Sequence, residues 1–235
     1  MTDADRLLVL FRELLSNVGY AEGRRRFPRT LTADDAVALT AVSHAEVEQG
    51  TAGRAERARL RRLKIACEPG CCWCCEQPVT VYLPEAVRIA GWLARDENAG
   101  ARDAFLAAYP AWRERAGDGF APLCAAIAAG DTVAERAAHV AQWQRRAMCA
   151  FNAGGLCIIY EVRPAVCRSC HALDTSDRCR ADAGQLPVAM TYSALDEALE
   201  RGRTLALAMH HALGGARRTP AALCQAVYDL LMQAA

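Results

Sequence analysis

The chain has 235 residues, a formal net charge of +1, 53% apolar residues and 23% charged residues. A chain of this length and balance is expected to form one globular unit, or one with a helical extension, and it is too apolar and too weakly charged for intrinsic disorder. No run of about 18 apolar residues marks a membrane span, the acidic start Met1-Thr2-Asp3-Ala4-Asp5 lacks the basic region of an export signal, and near-neutrality gives no reason to expect nucleic acid; the expectation is a cytoplasmic protein.

In chain order, Thr2-x-x-Asp5 reads as a variant capping box, followed by Leu7, Leu8, Phe11, Leu14, Leu15 and Val18 at helical spacing, with Gly19 and Gly23 as the stop. Thr32-x-x-Asp35 opens a second helix through Val37, Leu39, Val42 and Val47, which Gly50 and Gly53 are expected to interrupt. The basic stretch 54–64 (Arg54, Arg57, Arg59, Arg61, Arg62 and Lys64) reads first as the solvated face of a surface helix, and more sharply as a site for phosphate or an acidic protein partner. Residues 67–80 are irregular, 79–83 read as a short strand, and Pro84 sits at the first turn of a helix running to Arg95. Further helices are expected over 101–115, 121–129, 131–148, 192–213 and 219–233, with a short one after Pro164 carrying Cys167 and Cys170. The result is a mainly α fold, a helical bundle around an irregular, cysteine-ligated metal core with at most a few short strands. It divides into an N-terminal helical extension (1–64), a cysteine-cluster core (65–185) and C-terminal helices packed on the core (186–235).

Twelve cysteines without an export signal point to metal ligation or redox chemistry more than to disulfides. Ten fall into two groups: Cys67, Cys71, Cys72, Cys74 and Cys75, then Cys149, Cys157, Cys167, Cys170 and Cys179. Cys124 and Cys224 stand alone in helical, alanine-rich contexts and read as small buried hydrophobes. Cys71-x-x-Cys74 and Cys167-x-x-Cys170 have the spacing that lets two thiolates face one metal ion, and Gly70 permits a tight turn there. A helix start after Pro164 would favour thiolate charge at Cys167 and Cys170. Cys74 and Cys75 are adjacent, and neighbouring side chains diverge. One four-coordinate ion is poorly served by both, which suggests a multinuclear centre or more than one site.

The block Cys67-x-x-Gly70-Cys71-x-x-Cys74-Cys75, followed by Pro78-Val79 and Glu85-Ala86, resembles the first half of the YkgJ-type cysteine-cluster proteins, a CxxCxxCC family described as zinc- or iron-chelating. The second half is similar as well: Cys149, then Cys157-x-Ile159-Tyr160-Glu161-x-Arg163-Pro164-x-x-Cys167-Arg168. The resemblance covers about residues 65–180. It implies Cys67, Cys71, Cys74, Cys75, Cys149, Cys157, Cys167 and Cys170 as ligands, with Cys72 and Cys179 as further candidates. Arg163 and Arg168 would offset thiolate charge, and Tyr160 would hydrogen-bond near the centre or pack in the core.

The metal stays open between an iron–sulfur cluster, a [4Fe–4S] form included, and zinc, since both accept all-sulfur ligation. Cys67-x-x-x-Cys71-x-x-Cys74 shares the spacing of the radical-SAM cluster motif, but the chain lacks the repeated β/α units of that fold. Flagellin lysine methylases share the cysteine-cluster domain, so the resemblance also implies a protein-modifying enzyme using S-adenosylmethionine, beside an electron-transfer or accessory role and a zinc-based structural or metal-handling one. His171 follows Cys170 and reads as a loop residue or a supporting group; His44 and His139 lie alone on expected helices, and His210 and His211 face different ways.

Overall fold

A computed structural model describes residues 6, 7, 9, 10, 31–173, 175–180, 182, 192–213 and 219–234. It is mainly α-helical. The helices are α1 (Ala33–Leu60), α2 (Leu83–Leu93), α3 (Ala99–Ala116), α4 (Phe120–Ala129), α5 (Thr132–Trp143), α6 (Ala165–Ser169), α7 (Ser193–Ala212) and α8 (Leu223–Ala234). Strands are two residues each: β1 (Thr80–Val81) pairs antiparallel with β4 (Ala221–Ala222), and β2 (Asn152–Ala153) pairs with β3 (Leu156–Cys157). Of the expected first helix, Arg6, Leu7, Val9 and Leu10 are helical; its capping residues and glycine stop lie outside the described residues.

The second expected helix starts as its sequence dictates. The Thr32 hydroxyl accepts the Asp35 N–H at 3.2 Å, and the Asp35 carboxylate accepts the Thr32 N–H at 2.9 Å, which satisfies two of the donors a helix start leaves open. The expected break at Gly50 and Gly53 does not occur, and α1 runs through both. A Cβ at Gly50 would stand 2.8 Å from Leu195 Cα, and one at Gly53 would stand 2.7 Å from Tyr192 Oη. These glycines let α1 lie close against α7 and the residue before it, and that packing outweighs their poor helix propensity. The helix ends where Arg62 takes φ 58° and the Leu63 N–H reaches back to Ala58 O at 2.9 Å, a left-handed stop that usually falls to glycine.

The main core joins α2, α3 and α8 to the 147–162 stretch. Phe105 is fully buried and stacks on Phe151 at 4.2 Å between ring centroids, while Tyr109 stacks on Tyr228 at 3.8 Å. Two smaller clusters close the α1–α7 contact, one around Leu39, Leu205 and Met209 and one around Val47, Leu195 and Ala198.

Three boundaries differ from expectation, and each positions a cysteine. Helix α5 stops at Trp143 rather than at 148, and Arg146 with φ 52° turns the chain toward Cys149. Helix α6 spans five residues, so Cys170 lies just past its end and not on its face. Helix α8 begins at Leu223, because Ala221–Ala222 are used as β4 against β1. The expected strand over 79–83 is real only at Thr80–Val81, since Leu83 and Pro84 already belong to α2.

Candidate metal centre

The first cysteine block is a loop followed by a 3-10 turn over Trp73–Glu76. Gly70 takes φ 93°, and Cys71 N–H closes the turn on Glu68 O at 3.0 Å. The Cys75 N–H then bonds Cys72 O at 2.9 Å. Two backbone hydrogen bonds tie this loop to the second block: Ala66 N–H to Ala172 O at 2.9 Å and Cys149 N–H to Cys75 O at 2.8 Å. The β2–β3 hairpin also leans on it. A Cβ at Gly155 would lie 3.3 Å from Gly70 O, and Gly155 has φ 87°, so glycine is doubly suited there.

The second block is gripped from α1 and α2 by side chains. Arg168 is 6% exposed. Its Nη1 bonds Glu48 at 2.6 Å, its Nε donates to Arg163 O at 2.8 Å, and its Nη2 donates to Glu161 O. One planar guanidinium thereby ties two carbonyls of the 161–168 turn to Glu48 of α1. Thr51 Oγ1 donates to Arg168 O at 3.3 Å, and Arg54, also buried, donates to Ser169 O. Arg54 therefore leaves the basic stretch, whose other cations at 57, 59, 61, 62 and 64 are exposed as expected of a solvated face. Glu85 of α2 accepts the Ala165 N–H at 3.0 Å and the His44 Nε2–H at 3.1 Å, while Arg88 donates to His44 Nδ1 at 2.6 Å. That network requires a neutral His44.

These anchors bring the two blocks together through sulfur. The Cys170 sulfur beside Cys74 pushes the Cys74 thiol up to about 12, against an opposing effect of Cys75, and Cys74 in turn holds Cys170 below its ordinary value. Cys75 is raised by Cys74 first and by burial second, and its sulfur accepts from Asn152 Nδ2 at 3.5 Å. Cys67 Sγ accepts the Ala172 N–H at 3.3 Å and lies 4.0 Å from Cys170 O. Burial raises Cys167 well above its ordinary value, with Cys149, Cys74, Cys157 and Cys75 adding to it. Burial also carries Cys157 to about 11, with smaller contributions from Cys149 and Cys75. Cys71 stands close enough to Cys74 to add to its shift. Cys179 is buried at the end of a 3-10 turn (Ser176–Cys179) packed on the Trp73–Glu76 turn. Cys72 is half-buried at the head of that first turn.

Arg163 and Arg168 take Glu48 as their ion-pair partner rather than Glu161, which contributes only its carbonyl. Tyr160 is 60% exposed, with the Arg163 guanidinium 3.8 Å over its ring, so it is not packed in the core. His171 Nδ1 is buried with no hydrogen-bond partner among the described residues. Sequence reasoning missed Glu48, Thr51 and Arg54, whose partners lie more than a hundred residues away. Cys224 is buried in the core, as expected of a small apolar side chain, and its sulfur lies 3.7 Å from that of Cys149. Cys124 is a buried thiol of α4, raised to about 11 by burial with no other cysteine contributing.

None of the twelve cysteines is in a disulfide. Among the described residues, no three His, Cys, Asp or Glu side chains stand as a group that could hold a metal ion. The donor chemistry suits a thiophilic metal: Cys149 and Cys224 stand sulfur to sulfur at 3.7 Å, while Cys67 and Cys75 take the Ala172 N–H and the Asn152 amide as partners. Compared with known proteins, the chain matches no family model, no curated protein and no solved structure.

Proposed function

We propose that this is a metal-binding protein that holds an iron–sulfur cluster through thiolates drawn from Cys67, Cys71, Cys74, Cys75, Cys149, Cys157, Cys167 and Cys170. The observation that carries the reading is the meeting of the two cysteine blocks: the Cys149 N–H bonds Cys75 O at 2.8 Å, and Cys67 Sγ accepts the Ala172 N–H at 3.3 Å. Free thiols have little to gain from such crowding, because the S–H group is a weak donor and burial raises the cost of ionising it. A metal converts the same crowding into bonds and links two segments far apart in sequence, so its binding contributes to folding. Participation of both Cys74 and Cys75 favours a multinuclear centre over one four-coordinate ion. The resemblance to the cysteine-cluster family supports the same ligand set.

When bound, an iron–sulfur cluster supplies one-electron chemistry, and the role we assign is electron transfer or accessory service to a protein partner. The cavity bordering Cys75 and Cys149 measures about 20 Å³, room for a water or an ion. Zinc is the second reading, favoured by the two cysteine pairs spaced as zinc knuckles. Purification without oxygen or added metal, followed by iron, sulfide and zinc analysis with a visible spectrum, tests the proposal. Iron and sulfide near stoichiometry with broad visible absorption are expected. A colourless zinc protein replaces the cofactor and keeps the thiolate centre, and a protein that binds neither metal overturns both.

A further inference from the structure

We propose that Cys224, at the start of α8, is a further thiolate ligand of the metal centre and binds its ion jointly with Cys149. The inference rests on the metal-binding reading and extends its ligand set to a third part of the chain. Its first support is the 3.7 Å between the two sulfurs. Two thiolates on one tetrahedral ion at about 2.3 Å stand roughly 3.8 Å apart, so the pair is already at ligand spacing.

The second support is how the backbone holds both residues to one stretch of chain. Cys149 N–H bonds Cys75 O at 2.8 Å. On the other side, β4 pairs Ala222 with Thr80 and Ala221 with Val81, and Leu223 N–H bonds Val79 O at 3.0 Å. The stretch from Cys75 to Val81 therefore fixes where both sulfurs point. Ala221–Ala222 have no side-chain reason to form a strand, yet their pairing is what delivers Cys224.

The third support is the cavity. Cys75, Cys149 and Cys224 share its wall with Gln142, and its volume of about 20 Å³ is the size of an ion or a water. Gln142 is only 3% exposed, and its Oε1 has no hydrogen-bond partner among the described residues, although its amide nitrogen donates to Ala116 O. The Gln142 oxygen lies against Gly119, and a buried oxygen without a partner on a residue of this wall is a costly arrangement unless something in the cavity is bound. A thiophilic divalent ion suits this wall. On binding, each thiol gives up its proton to solvent and forms one sulfur–metal bond, with no change of oxidation state.

The test is a cadmium titration of the apo full-length chain under reducing conditions, read by the thiolate-to-cadmium ultraviolet band and by sulfur coordination number from X-ray absorption. Cys149→Ala, Cys224→Ala, the double variant and Cys124→Ala are compared with the wild type. We expect Cys224→Ala to lose as much of the band as Cys149→Ala, the double variant to lose little more, and Cys124→Ala to match the wild type. A full-strength band in Cys224→Ala overturns the inference while leaving the metal-binding reading intact; absence of any band in the wild type overturns both. Should Cys224→Ala fail to fold, alkylation mapping of the wild type decides, in denaturant just sufficient to expose both thiols of the apo protein. Cadmium should then protect Cys149 and Cys224 together, and protection of Cys149 alone contradicts the proposal.

Discussion

The aromatic core and the cysteine core are neighbours held by different physics. Around Phe105, Phe151, Tyr109 and Tyr228, rings stack face to face and the apolar surface is closed, so burial alone stabilises the region. In the cysteine core the sulfurs make weak contacts, with one another at Cys149 and Cys224 and with N–H donors at Cys67 and Cys75. The second block is fixed by Arg168, Arg54, Thr51 and Glu85, whereas the first is fixed chiefly by two backbone bonds to the second. The difference teaches that the scaffold grips the second block through buried side chains and the first mainly through backbone, which is where a bound metal would add most.

Phe105→Ala should produce the largest loss, about 3–5 kcal/mol, measured by urea unfolding. The loss should be the same with and without a chelator, because the ring contributes to the closed core only. Arg168→Ala comes next at about 2–3 kcal/mol, discounted because its partner Glu48 is partly exposed. Unlike Phe105→Ala, it should also lower metal content, and Arg168→Lys should not restore it, since an ammonium cannot reach Glu48, Glu161 O and Arg163 O together. On the surface, Asp131 caps α5 by accepting the Val133 and Ala134 N–H groups. Asp131→Ala should cost about 1 kcal/mol in thermal unfolding and leave metal content unchanged.

The smallest effect is a pH dependence from His44. Burial lowers its pKa; Glu85 opposes the shift, and Arg88 and Arg168 reinforce it. The unfolded chain takes up a proton near the ordinary pKa of about 6.5 while the folded one still resists it. The stability is therefore present above that pH and is lost as pH falls from there through the depressed folded value. The slope is at most about 1.4 kcal/mol per pH unit, and His44→Gln should flatten it in unfolding measured between mildly acidic and neutral pH.

Much of this was legible in the sequence. The capping residues Thr32 and Asp35, the Pro84 helix start and the alanine-rich helices follow local rules and appear where those rules put them. What was hidden depends on partners distant in sequence. Gly50 and Gly53 look like helix breakers until Leu195 and Tyr192 are seen against them. Arg54 looks like one more surface cation until Ser169 O is found above it. The two cysteine blocks announced themselves by spacing. Cys224 did not, because it is carried to Cys149 by a strand pairing that two alanines do not advertise.

X-ray absorption at the metal edge of the protein as isolated tests the central claim most directly. The account predicts bound iron with a first shell made of sulfur alone, lost when Cys74 and Cys170 are both replaced by alanine. A first shell of oxygen or nitrogen, or the same sulfur shell in that double variant, would contradict it.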